Sequence, residues 1–177
     1  MSNVLIGIIG VILFIGLALA GALFLGPRFQ ESTNNSKASA AVQAVSQVSS
    51  AANMANVQNG TATQSGAATT LATSGFLKSV PSNPTTGGTD PVLVSTAGAA
   101  TGDAGYAVMA LGTNAGPICA AIAKQSGMGA GFVATSTSGV DTVVPVAALP
   151  ANPSGCIQAS AAIGTLTKDS YYAFARI

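Results

Sequence analysis

The chain has 177 residues, a formal net charge of +1 and only 6% charged side chains. So weak a field gives no electrostatic case for a nucleic-acid or acidic partner. The absence of histidine removes the commonest metal ligand and the commonest general base. The length suggests one domain plus an apolar segment, and the abundance of Ala, Gly, Ser and Thr suits close subunit packing more than a flexible secreted chain.

The first element is apolar throughout. Val4 to Leu25 reads VLIGIIGVILFIGLALAGALFL, without a charge or a proline, and the first charged side chain is Arg28. As a helix the stretch is roughly 33 Å long, enough to cross a bilayer core. A helix apolar on every side must be covered on every side, by lipid or by other helices. Residues 1 to 26 therefore admit three readings. As a cleaved signal, they offer Ala18-Leu19-Ala20 as a small-residue site but lack a positive start. As a membrane anchor, they are flanked by Arg28 and Lys37, too few charges to set an orientation. As a helix that packs on copies of itself, they carry Gly7, Gly10, Gly16 and Gly21, with Gly16 and Ala20 at small-xxx-small spacing. In that reading Leu5, Ile8, Ile9, Ile12 and Phe14 join Gly16 and Ala20 in the packed core.

Gly26-Pro27 follows. Proline removes a backbone donor and clashes with the preceding turn, so a break or melt is expected near 22 to 30. Helical periodicity then resumes: Ala38, Ala41, Val45, Val48, Ala52 and Ala55 recur every three or four positions, with Ser, Gln and Asn between. The pattern predicts one long helix over roughly residues 2 to 58, stopped at Asn59-Gly60. The division is thus 1–26 for the apolar core helix, 27–58 for its amphipathic second half and 59–177 for a globular head.

Cys119 and Cys156 are the two cysteines. Two thiols without histidine make a poor metal site, and an even pair beyond an export or anchor segment favours one disulfide over two free buried thiols. Such a link would be worth roughly 4 kcal/mol by chain-entropy bookkeeping.

This order of elements resembles the type IV pilins, whose mature chains open with an apolar helix that continues as an amphipathic half on a small C-terminal sheet. Gly26-Pro27 matches the helix-breaking region of that family. The segment from Ala72 to Pro84, with Pro81, is similar to the loop that follows the helix in many pilins. The pair Cys119 and Cys156 looks like the disulfide-bounded region. Met1 as the processed N-terminus is similar to the type IVb subgroup, and Gly116-Pro117-Ile118-Cys119, a cysteine opening a short helix, resembles the conjugative thin-pilus group. The resemblance implies a homopolymeric helical filament, an inner-membrane stage before assembly, an assembly machinery as partner, and a final place on the cell surface. The roles it suggests are attachment, conjugation, motility or DNA uptake. One position departs: most type IV pilins carry glutamate at the fifth mature position, and here it is Leu5, so no side chain in the apolar half supplies a pairing with a neighbour's amine.

In the head, residues 59 to 75 read as a polar loop and 80 to 90, with Pro81, Pro84, Gly87 and Gly88, as another. Strand candidates are 91–95, 106–111, 132–135, 140–146, a late element from Cys156, and 171–177, in which Tyr172, Phe174 and Arg176 share one parity. Gly116 to Gln125 reads as a short helix with Pro117 in its first turn. The fold class is therefore α+β: a long N-terminal helix packed on a small, mostly antiparallel sheet of about four strands.

No constellation argues for catalysis. Asp90, Asp103, Asp141 and Asp169 are scattered, and Lys78, Lys124 and Lys168 read as solvated charges rather than bases for a serine nucleophile. The run Gly127-Met128-Gly129-Ala130-Gly131 lacks a strand–turn–helix setting and reads as a turn. Tyr106, Tyr171 and Tyr172 read as core or interface. No cofactor or metal is expected. The sequence thus points to a non-enzymatic filament subunit. The alternative is a single-pass anchored exported binding domain, or a pseudopilin of a secretion system, that does not form long filaments.

Overall fold

The structure, a computed structural model, describes the backbone of residues 2–95, 102–128, 133–135, 141–143, 145–146 and 148–177, and the side chains of 4–23, 28–95, 102–128 and 148–177. The chain divides into two compact units, Met1–Asn34 and Asn35–Ile177.

Helix α1 runs Ser2–Asn59. It ends where expected: Gly60 takes φ +64°, a left-handed conformation that suits glycine, and its N–H bonds Asn56 O at 3.0 Å. The expected break near 22 to 30 is not seen, because helical backbone continues through Gly26 and Pro27. A proline removes a single bond from the ladder and leaves those on either side, so a helix this long can carry it.

In the second unit, α1 is built to be covered. Ala38, Ala41, Val45, Val48, Ala52 and Ala55, the stripe read from periodicity, are all buried. They pack on one face of a six-stranded sheet of order β1-β2-β3-β8-β7-β6. The strands are β1 (Gly66–Ala67), β2 (Val92–Ser95), β3 (Ala104–Gly112), β6 (Pro145–Val146), β7 (Ser154–Ala159) and β8 (Tyr171–Arg176). All neighbours are antiparallel except β6 and β7. The face toward α1 carries Ala107, Ala173 and Ala175 among Leu93, Met109 and Leu111, so the small stripe of the helix meets a mixed surface of alanines and larger side chains. Ser49, the buried polar residue of this stretch, donates to Arg176 O at 2.6 Å and ties the helix to β8.

Alternation puts the buried aromatic side chains of the sheet on the opposite face. Tyr106, Val108, Ile157, Tyr172 and Phe174 lie there under Met128, Ile163 and Leu166. The Tyr106 and Phe174 rings meet edge to face, centroids 6.0 Å apart. Tyr106 Oη donates to Pro150 O at 3.0 Å, and Tyr172 Oη accepts from Thr167 N at 2.7 Å. Both phenols are therefore core residues with satisfied tips.

Helix α3 spans Gly116–Gln125, the predicted range, with Pro117 in its first turn. Gly127 closes it at φ +68°: its N–H bonds Lys124 O, and Met128 N bonds Ala123 O at 2.9 Å. This pair of bonds is a Schellman motif and accounts for the first glycine of the Gly127–Gly131 run; residues 129–131 lie outside the described residues. A disulfide joins Cys119 of α3 to Cys156 of β7, Cα atoms 5.3 Å apart.

Three expectations need correction. The 59–75 segment is not all loop, since it holds β1 and the short helix α2 (Thr69–Thr73), which buries Leu71 against α1. The sheet has six strands rather than about four. The 132–135 and 140–146 candidates split: β4 (Val133–Thr135) and β5 (Asp141–Val143) form their own two-stranded sheet, while Pro145–Val146 joins the main one. Phe132, Val140 and Val144 lie outside the described residues. The 80–90 loop stands as read, fastened by Asn83, whose Nδ2 donates to Thr89 O at 2.7 Å and Ala110 O at 2.6 Å.

Candidate functional site: an uncovered apolar helix

Every side chain from Val4 to Leu23 is apolar. Twenty helical residues span roughly 30 Å, the thickness of a bilayer core. None of the large side chains among them is covered: Leu5, Ile8, Ile9, Ile12 and Phe14 keep between 50% and 74% of their surface. The helix meets the length and composition test for a membrane span. Polarity begins in the next turns. Arg28 pairs with Glu31 at 3.4 Å in solvent, and the Thr33 and Ser39 hydroxyls donate to Phe29 O and Asn35 O. The boundary thus changes from a surface that water disfavours to one it solvates within about two turns.

Helical geometry sorts the predicted packing residues. At about 100° per residue, Leu5, Ile8, Ile9, Ile12, Gly16 and Ala20 fall on one face. Phe14 falls on the opposite face. There it joins a seam that the sequence reading missed: Gly7, Gly10, Phe14, Leu17 and Gly21 follow at intervals of three and four, a heptad register. The signal was present in the glycine spacing, but it was read only through Gly16 and Ala20.

The glycines carry the more telling geometry. A Cβ added at Gly7, Gly10, Gly16 or Gly21 would meet nothing within 4 Å. Each interior glycine costs a helix roughly 0.5–1 kcal/mol relative to alanine. Among the described residues, nothing packs close enough to these four positions to require a glycine.

Met1 lies outside the described residues, and for Gly26 and Pro27 only the helical backbone is described. Cys119 and Cys156 are fully buried in the head. Asp90 accepts from Asn83 N at 2.9 Å and Asp103 from Gln64 Nε2 at 2.8 Å. Lys168 and Asp169 are an exposed pair at 4.0 Å, and Lys78 and Lys124 are exposed. The Asp141 side chain lies outside the described residues. Among the described residues, no three His, Cys, Asp or Glu side chains come together as a metal site.

No protein-family model, no curated protein and no solved structure matches the chain.

Proposed function

We propose that this chain is a structural filament subunit of the pilin type, held in the inner membrane by residues 4–25 and polymerised by bundling that helix with copies of itself. The single observation that carries the reading is the set of four interior glycines with open space where each Cβ would be. Glycine is frequent in membrane helices generally, but four of them at heptad and small-xxx-small spacing suit close helix–helix approach. Small or register-forming positions on two opposite faces suit a helix with more than one neighbour, as in a bundle, rather than a simple dimer. Assembly machinery extracts the subunit, and burial against neighbours replaces burial in lipid. Leu5 leaves docking to packing alone, with no acidic side chain in the core.

The second reading, a single-pass anchored exported domain, is favoured by the span length alone. The test is to shear cells, pellet the released material, and image and sequence it. Thin filaments composed of this chain support the subunit reading. A chain that stays with the membrane as a monomer supports the anchored domain and sinks the filament reading.

A further inference from the structure

A cavity of about 280 Å³ opens at the C-terminal end of α1, between the helix and the β1–α2 segment. Its walls include Asn59, Thr61, Gln64, Ser65 and Thr70, and its apolar side includes Phe76. No charged side chain lines it. We propose that this cavity binds one pyranose ring of a neutral sugar, free or at the end of a glycan. The proposal stands whether or not the chain polymerises.

Three features select that chemistry. The volume is just under the roughly 300 Å³ at which pockets begin to hold drug-sized ligands, so it suits a single ring. Hydroxyl and amide walls offer both donors and acceptors without charge. They match sugar hydroxyls and disfavour a purely apolar guest, which would leave them unpaired. A phosphate or carboxylate ligand would find no counter-charge, and the neighbouring carboxylate, Asp103, is not a wall residue and is already held by Gln64 Nε2 at 2.8 Å. Phe76, half-buried beside these groups, gives the C–H face of a ring an apolar platform.

Ser65 adds an independent observation. Its Oγ is buried without a hydrogen-bond partner, alone in this among the described side chains, while its backbone N–H is satisfied by Gly102 O at 2.8 Å. Buried hydroxyls are normally paired, and an orphan calls for an explanation. Ser65 is also a wall residue of the cavity, so a ligand hydroxyl that reaches its Oγ would partner it.

The experiment uses the full chain in a zwitterionic detergent without sugar head groups. Saturation-transfer difference NMR is recorded with methyl galactoside, methyl glucoside and N-acetylglucosamine, with glucuronate and glucosamine as charged controls. Transfer is expected from at least one neutral ring and not from the charged ones. Ser65→Ala should weaken binding about fivefold, the loss of one hydrogen bond. Thr61→Arg, at an exposed wall position, should abolish it without touching the core, and unchanged melting of both variants shows that they fold. No transfer from any neutral ring, equal transfer from the charged controls, or undiminished binding in both variants overturns the proposal. Retention on glycan-coated beads, displaced by the free ring, assigns the ring to a surface glycan. Binding of the free ring without retention assigns it to a soluble sugar.

Discussion

The two halves of α1 invert the usual expectation about size and burial. Between Val4 and Leu23 the side chains are mostly Ile, Leu, Val and Phe, and they are exposed. Between Ala38 and Ala55 the stripe toward the sheet is mostly Ala with Val45 and Val48, and that stripe is buried, while Gln43, Gln47 and Met54 stay exposed. Burial within the subunit therefore follows what a residue faces. The second half has a partner surface on the sheet, where Ala107, Ala173 and Ala175 sit among Leu93, Met109 and Leu111. The first half has none in its own chain, so its much greater hydrophobic driving force is left for lipid or other subunits.

The comparison is sharpened by substitutions with graded effects on the head. Phe174→Ala empties the face with the buried aromatics and should cost about 3–5 kcal/mol, read by thermal or urea unfolding. Removing the link with Cys119→Ala and Cys156→Ala together should cost about 2–5 kcal/mol, and reducing agent should mimic it in the unsubstituted chain. Ala52→Leu overfills the contact between α1 and the sheet and should cost about 1–3 kcal/mol. If it were neutral, close packing of the helix stripe on the sheet would be wrong. Ser49→Ala removes one buried bond and should cost about 1 kcal/mol. Gly16→Leu meets open space in the subunit, so head unfolding should stay within about 0.5 kcal/mol while filament yield falls. Gly10→Leu, on the other seam, should do the same. Normal filaments from both variants would break the link between the glycines and assembly, and a destabilised head would show that the halves are not energetically separate.

Much of the fold was legible because local and tertiary signals agreed. The Ala/Val stripe of α1, the limits of α3 and the strands β2, β3 and β8 each carried periodicity or a cap that tertiary packing then used. The 59–75 segment was misread because α2 is five residues long, too short for a helical period to show. Leu71, the one large apolar residue in a run of Thr, Ala and Ser, was the available clue. The edge strand β1 was missed for the same reason, since two residues cannot display alternation. The split of 132–146 into two sheets depends on non-local pairing that no single-strand pattern encodes. For the candidate site, the apolar run was plain in composition. The second seam through Phe14 required placing residues around the helix, and the open space at the glycines required coordinates.

The main sheet ends on both sides in a strand of two residues, β1 and β6. A long unpaired edge would recruit the edge of a neighbouring head. Where β1 and β6 themselves form the rim, two residues each offer few free backbone groups for such recruitment.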